Sequence, residues 1–198
     1  MSTKVAKQDT KAALLQVGMG LMMEKGYTNT GVQEILTALG VPKGSFYHYF
    51  DSKENYAVEI IRHFDLNYAA NLMRILRNPK ESPLERLKSY CQESKALLAA
   101  QDCRKGCLIG NLSQEMADQS EVLRQELSKV MNKWRDLLAD CIEEGQKSGE
   151  ITNKHSAHDL AELFSAGWGG AVMRAKTVKN TESLDIFINL MFGDILKA

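Results

Sequence analysis

The sequence predicts an all-α protein. Only three prolines occur in 198 residues, at positions 42, 79 and 83, so few segments are barred from forming helix. Apolar residues recur three and four positions apart along nearly the whole chain, and runs that alternate apolar with polar residues are absent. This spacing, broken by short turns, predicts about nine helices divided between two domains.

Glycines bound the first two helices. The first is expected over residues 10–25, because Gly26 follows it as a stop signal. Thr30, followed three residues later by Gln33, fits a capping box, in which each side chain bonds a backbone N–H of the other residue. The apolar face of this second helix ends at Gly40.

The segment "GVPKGSFYHYF" predicts a short third helix. Pro42 fits its first position, where the missing N–H removes no hydrogen bond. Phe46 and Phe50 lie four residues apart and share one face, so we expect them to be core anchors. Lys43 and Tyr47 point away from that face.

The rest of the chain continues as longer amphipathic helices. One is expected from Ser52 toward Asn78 as a connector, with its apolar stripe on one side. "NPKESPLERL" ends it, because it holds two prolines and Ser82 caps the next helix. Further helices are predicted over residues 83–100, 105–117, 120–147, 155–178 and 182–197.

Composition narrows the function classes. The net charge is zero, so any nucleic-acid site must be a local patch rather than a basic domain. The beginning of the sequence has no apolar segment of the kind that directs export, and no long apolar run follows, which favours a cytoplasmic protein. The four cysteines form no paired CxxC units, and unbridged thiols are expected.

The second and third helices, with a tight turn between them, predict a DNA-binding helix-turn-helix. In that motif the second helix lies in the major groove, and its outward side chains meet bases and phosphates. Lysine and tyrosine tips can reach phosphate or base edges, and small residues let the helix approach. The alternative is that the aromatic residues only fill a small core. The candidate DNA-contacting residues are Thr30, Lys43, Gly44, Ser45, Tyr47, His48, Tyr49 and Lys53.

Thr30, Ile35 and "LGVPKGSFYHYFDSKE" resemble the N-terminal domain of TetR-family transcriptional regulators. The resemblance implies a repressor with a DNA-binding domain over residues 1–50, in which Lys53 grips a phosphate. It also implies an effector and dimerisation domain over residues 51–198, a homodimer, a near-palindromic operator and release by an inducer. Pro42 and Leu36 depart from the usual family residues.

Small residues around a tryptophan in "FSAGWGGAVMRAK" predict a helix that another helix can approach closely. The resemblance places a dimer interface in the last two helices. The candidate interface residues are Gly167, Trp168, Gly170 and Ala171. The alternative is a kinked internal helix.

"CRKGCLIGNLSQEMA" carries a candidate sensor. Cys107 follows two cations and would lie in the first turn of a helix, and both features favour the thiolate. The stretch resembles that of NemR-type TetR repressors, which respond to electrophiles through a cysteine, and Lys176 and Cys103 are candidate partners. The alternative is that Cys107 is a small buried hydrophobic residue.

A noncovalent inducer in an apolar pocket is the rival hypothesis. Its candidate lining residues, each of which also fits an ordinary core, are Met116, Met131, Trp134, Phe164 and Met173.

Enzyme and metal chemistry are disfavoured. His155 and His158 lie three apart without a third ligand nearby, and no phosphate-binding loop, nucleophile elbow or zinc-protease motif occurs. No cofactor is predicted. The second function class is a helical ligand-binding or redox-sensing protein that does not bind DNA.

Overall fold

Glycine, serine and proline signals set many of the helix ends. A computed structural model describes residues 2–198, with side chains from residue 10 onward. The part of the chain that it describes contains nine α-helices, as predicted, and a short π-helical turn, Met191–Ile195. The helices are α1 Ser2–Lys25, α2 Val32–Leu39, α3 Lys43–Tyr49, α4 Lys53–Leu76, α5 Pro83–Ala99, α6 Leu108–Met116, α7 Glu121–Lys147, α8 Ala157–Val178 and α9 Glu182–Leu190.

Several predicted signals act as expected. Gly26 and Gly40 follow α1 and α2 with φ of +84° and +63°, a backbone conformation that glycine adopts without strain. Ser82 caps α5, and its side chain accepts a hydrogen bond from the Glu85 N–H, with Pro83 as the first helical residue. The ends of these helices are therefore encoded locally.

Other boundaries need correction. Thr30 and Gln33 form no capping box: the N-cap of α2 is Gly31, without a side-chain hydrogen bond. The Thr30 hydroxyl instead donates to the carbonyl of Gly26 at 2.6 Å. Pro42 is the N-cap of α3 rather than its first residue, and α6 begins one residue after Cys107.

The chain divides into two compact units. One runs to Leu66 and takes in Leu108–Ser128, and the other comprises Asn67–Cys107 and Lys129–Ala198. We call them the head unit and the C-terminal unit. The predicted functional boundary after residue 50 stays a prediction, because these units reflect packing and not function.

Three aromatic rings form the centre of the head unit. Phe46 and Phe50 are fully buried, which confirms their prediction as core anchors. Both pack against Tyr56, with ring centroids 4.9 and 4.6 Å away. The Tyr56 hydroxyl donates to the carbonyl of Leu14, and a Cβ at Gly18 would lie 1.9 Å from the Tyr56 Oη. Helix α3 is thus fixed to α1 and α4 by its inward face.

An aromatic core also fills the C-terminal unit. The Phe187 ring from α9 packs edge-on against Phe164 and Trp168 of α8, at centroid distances of 5.2 and 5.4 Å.

A buried arginine on α5 bonds the turn that follows α4. Arg86 donates to the carbonyls of Asn78 and Glu81 and to the carboxylate of Glu144.

Candidate DNA-binding surface

Helix α3 separates its side chains into two faces. Phe46 is fully buried, whereas Tyr47 is 52% exposed, and Lys43 and His48 are exposed as well. The turn before it is compact, because the Gly40 N–H bonds the carbonyls of Leu36 and Thr37. The second helix of a helix-turn-helix therefore presents ammonium, phenol and imidazole tips to solvent.

Ring contacts brace the outward side chains. Tyr47 packs edge-on against Phe46 at a centroid distance of 5.4 Å, and the rings of His48 and Tyr49 meet at 4.9 Å. The Lys43 ammonium lies 6.0 Å from the centre of the Tyr47 ring, within range of a cation–π interaction. These contacts limit the rotamers of the exposed tips before any partner binds.

The remaining candidate residues divide into two groups. Gly44 is exposed and Ser45 and Tyr49 are half-buried on α3, so they lie beside the exposed tips. Lys53 is half-buried at the start of α4, and its ammonium lies 4.3 Å from the centre of the Tyr27 ring.

Thr30 is different from the other candidates, because its side chain is fully buried. The prediction that it reaches DNA is therefore withdrawn, and its hydroxyl holds the turn after α1.

Comparison with known proteins places this geometry in a family. A model described as bacterial regulatory proteins, tetR family, matches residues 14–60. A second, described as Tetracyclin repressor-like, C-terminal domain, matches residues 83–191. The chain belongs to the TetR family of bacterial regulatory proteins. It is a DNA-binding transcriptional regulator and not an enzyme, as the sequence predicted.

Individual relatives cover nearly the whole regulator. The transcriptional regulator AcuR of Cereibacter sphaeroides is 37% identical over 88% of this chain and 80% of its own length. The HTH-type transcriptional repressor DhaR of Mycobacterium sp. strain GP1 is 34% identical over 98% of this chain and 96% of its own. The crystal structure of the reduced form of Escherichia coli NemR is 30% identical, with a TM-score of 0.87 over 96% of this chain and 98% of its own.

The predicted sensor residues lie in the C-terminal unit of the regulator. Cys107 is half-buried and directly precedes α6. Cys103 is buried in the strained turn before it, with a φ of +50°, and its carbonyl accepts a hydrogen bond from the Lys179 ammonium. Lys176 is half-buried in the last turn of α8. Cys103 thus lies before the helix begins. A disulfide to Cys107 requires this position, because two cysteines four residues apart on one helix rarely meet disulfide geometry.

A pair of phenols near Cys107, of which Tyr90 is buried and Tyr68 is partly buried, was missed by the sequence analysis. The hydroxyls of Tyr68 and Tyr90 lie 2.7 Å apart, and Tyr68 also packs against Trp134 with a centroid distance of 4.1 Å. Burial raises the pKa of both phenols; a charge interaction with Cys107 adds to the rise at Tyr68, and one with Tyr68 adds to the rise at Tyr90. No periodic pattern links these residues, because they come from four separate segments.

The predicted inducer-pocket residues differ in burial and in the unit to which they belong. Phe164 is fully buried core, whereas Met131 and Met173 are at least half exposed. Met116 belongs to the head unit and Trp134 to the C-terminal unit. A cavity of about 550 Å³ in the C-terminal unit lies elsewhere. It opens beside Cys103 and is lined by the polar and charged residues Asp102, Arg104, Lys179, Asn180 and Thr181.

Three of the four predicted dimer residues face inward. Trp168 is only 6% exposed and Ala171 is buried, and a Cβ at Gly167 would lie 2.8 Å from the Phe187 ring of the same chain. The prediction that Trp168 anchors a second subunit is therefore wrong. Gly170 is exposed, as expected.

The described residues hold no group of three or more His, Cys, Asp or Glu side chains that could bind a metal ion. Within the same part of the chain, no helix combines the length and the apolar character needed to cross a membrane.

Proposed function

We propose that the protein is a homodimeric repressor in which α3 of each subunit reads one half of a near-palindromic operator in the major groove. One observation carries the proposal: Phe46 of α3 and Phe50 directly after it are buried, while the ammonium, phenol and imidazole tips of α3 are exposed. Two heads related by a two-fold axis bind half-sites about one helical turn, or a multiple of it, apart. A protein that regulates transcription in this way works in the bacterial cytoplasm.

The exposed residues have separate roles in this proposal. Lys43, at the start of α3, reaches a phosphate or a guanine, and Tyr47 and His48 meet backbone oxygens and base edges. Lys53 contributes a phosphate contact, which depends on charge and not on sequence. Gly44 and Ser45 are small enough to let the helix backbone approach the groove.

A binding assay separates these roles. A labelled duplex from the region upstream of the gene should be shifted by the wild-type protein in a gel, with affinity falling as salt rises. Lys53→Ala should weaken binding to all duplexes and flatten the salt dependence, whereas Tyr47→Ala should weaken binding and reduce discrimination between sequences. A Lys53→Ala protein that binds as tightly as the wild type at high salt contradicts the phosphate role.

The dimer in this proposal uses the outer faces of α8 and α9. Leu163 and Met173 on α8 and Ile186 and Leu190 on α9 are each about half exposed. Gly170 lies between the first two on the same face, since residues 163, 166, 170 and 173 follow helical spacing. Exposed large apolar side chains in this arrangement favour helix-to-helix contact with a second copy.

For the inducer, we propose an electrophile that modifies Cys107. The thiol precedes the N-terminus of α6, follows Arg104 and Lys105, and is only half-buried, which together favour an accessible thiolate. Cys91 is fully buried, and burial raises the pKa of the Cys141 thiol to about 12. The thiols of Cys91 and Cys141 are therefore poorer nucleophiles than that of Cys107.

N-ethylmaleimide tests this part of the proposal. The Cys107 thiolate adds to its carbon–carbon double bond, the neighbouring carbon takes up a proton, and no group leaves. Treatment should release DNA from the wild type but not from Cys107→Ser. Equal loss of binding in both proteins would eliminate Cys107 as the sensor.

A noncovalent inducer is the second candidate. The phenol pair of Tyr68 and Tyr90 beside the ring of Trp134 combines polar and aromatic groups of the kind that line sites for planar polar ligands. Under this alternative, a Cys107→Ser protein retains its response to the natural inducer. A chain that shifts no duplex at low salt supports a ligand-binding or redox-sensing role without DNA.

A further inference from the structure

A single carboxylate in the head unit binds two successive backbone amides. Glu115, near the end of α6, accepts hydrogen bonds from the N–H of Tyr27 at 2.7 Å and of Thr28 at 2.8 Å, one on each carboxylate oxygen. These amides belong to the turn between α1 and α2. Bonds from amides to a charged acceptor are stronger than those between neutral groups.

Gly26 makes this approach possible. Its φ of +84° turns the chain at the end of α1, and a Cβ at this position would lie 2.5 Å from the Glu115 Oε2. The glycine therefore serves two purposes. It ends the helix, and it leaves room for the carboxylate beside the turn.

The same turn holds Lys53. The Lys53 ammonium donates to the carbonyl of Thr28 at 3.3 Å and lies 4.3 Å from the centre of the Tyr27 ring. The two residues whose amides bind Glu115 thus supply the carbonyl and the ring that position the lysine. Burial lowers the pKa of Lys53, and the Glu115 carboxylate opposes this shift.

Other contacts join α4 to the same part of the unit without touching the turn. The Ser120 hydroxyl donates to Glu54 at 2.6 Å, and Arg62 makes two hydrogen bonds to the carboxylate of Glu126, at 2.7 and 3.2 Å. Both contacts link α4 to the start of α7. These two contacts serve as a comparison for the bonds of Glu115 to the turn.

We propose that Glu115 is a positioning residue for DNA binding: its carboxylate fixes the turn after α1, and through Tyr27 and Thr28 it sets the place from which the Lys53 ammonium meets a phosphate. The inference rests on the proposed phosphate contact of Lys53. Helix α6, which begins directly after Cys107, thereby carries a residue that positions the Lys53 ammonium of the head unit.

A double-mutant cycle tests the inference with the full-length protein and the labelled upstream duplex. Glu115→Gln keeps the size of the side chain but has one carbonyl oxygen, so at least one of the two amides loses its acceptor. It should weaken DNA binding by about three- to tenfold in the wild type and by less than about twofold in a Lys53→Ala background. It should also reduce the steepness of log K against log salt by about 0.9 for each phosphate that the variant no longer neutralises.

Glu126→Gln is the matched control. It removes a carboxylate of the same unit whose two hydrogen bonds from Arg62 link α4 to α7, so it should leave the salt slope unchanged. If Glu115→Gln does not fold, Glu115→Asp replaces it. This variant keeps the charge but is one methylene too short for both amides, and it should fall between the wild type and Lys53→Ala in salt slope.

The outcomes separate the inference from the proposed function. Equal losses of affinity from Glu115→Gln in the two backgrounds, or an unchanged salt slope, overturn the positioning role and leave a purely structural one. If Lys53→Ala itself has no effect on affinity or slope while the wild type binds, the proposed phosphate contact fails and the inference falls with it. If the wild type shifts no duplex, the proposed repressor function fails first.

Discussion

Helices α3 and α8 are both rich in aromatic and small residues, but only the faces of α3 follow from the sequence. In α3 and its C-cap the apolar rings of Phe46 and Phe50 are buried, and the polar-tipped ring of Tyr47 is exposed. In α8 the largest ring, Trp168, is buried and the exposed positions include Met173. A face can be assigned from sequence when only some positions are apolar. It cannot be assigned when apolar residues surround the helix.

The reason lies in what covers each helix. Phe46 and Phe50 pack against Tyr56, which follows them within ten residues. The ring partners of Trp168 lie farther away in the sequence: Phe187 in α9 and Tyr90 in α5. The close approach indicated by Gly167 is real, since a Cβ there would meet the Phe187 ring. The small residue was interpreted correctly as a packing site, but its partner belongs to the same chain.

The largest expected effect tests the two faces of α3. Phe46→Ala should lower the free energy of unfolding by about 3–5 kcal/mol, because a fully buried ring leaves a cavity. Tyr47→Ala should lower it by about 1 kcal/mol or less, because the ring is half exposed and loses its edge contact with Phe46. Urea unfolding followed by circular dichroism measures both. A Tyr47→Ala protein as unstable as Phe46→Ala would show that the outward face is part of the core.

A smaller effect is expected on the outer face of α8. Met173→Glu places a charge on the proposed dimer surface, and it should raise the dimer dissociation constant at least tenfold, about 1.4 kcal/mol. The fold should persist because Met173 is 58% exposed. Analytical ultracentrifugation at several protein concentrations gives the dissociation constant.

Met131→Glu is the control for this change, because Met131 is a methionine of similar exposure, 50%, on α7. It should leave the dimer intact. If both variants dissociate equally, or if neither does, the outer face of α8 is not the dimer surface.

The sequence predicted the helices well and the sites unevenly. The helix ends could be predicted from the sequence because glycine conformation and serine caps act within a few residues, as at Gly26 and Ser82. The capping box at Thr30 is absent because α2 begins one residue later than the pattern implies, with Gly31 as its N-cap, and the Thr30 hydroxyl donates to the carbonyl of Gly26. The contact of Glu115 with Tyr27 joins residues 88 apart in sequence. No periodic pattern encodes such a contact, and only the packed unit reveals it.

The smallest expected effect is a loss of stability at low pH in the head unit but not in the C-terminal unit. Burial raises the pKa of Glu115, but hydrogen bonds from Thr28 and Tyr27 and the nearby Lys53 outweigh it and hold the pKa below its ordinary value of 4.5. A hydrogen bond from Lys11 likewise lowers the pKa of Glu59, which lies in the same unit. Folding therefore favours the charged form of both carboxylates. Their stabilisation is fully present above about pH 4.5 and is lost as the pH falls through the lowered values.

Acid should therefore loosen the head unit through these two carboxylates. Protection of head amides against hydrogen exchange, including those of Tyr27 and Thr28 and measured relative to an unstructured chain at the same pH, should fall below pH 4.5, and fluorescence of Trp134 and Trp168 reports the C-terminal unit at the same pH. In Glu115→Gln the protection of the two turn amides should already be low at neutral pH and should change less with acid, because the titrating acceptor is gone. Exchange that responds to acid equally in the variant and the wild type would assign the pH dependence to other groups, and the turn would then owe its order to packing alone.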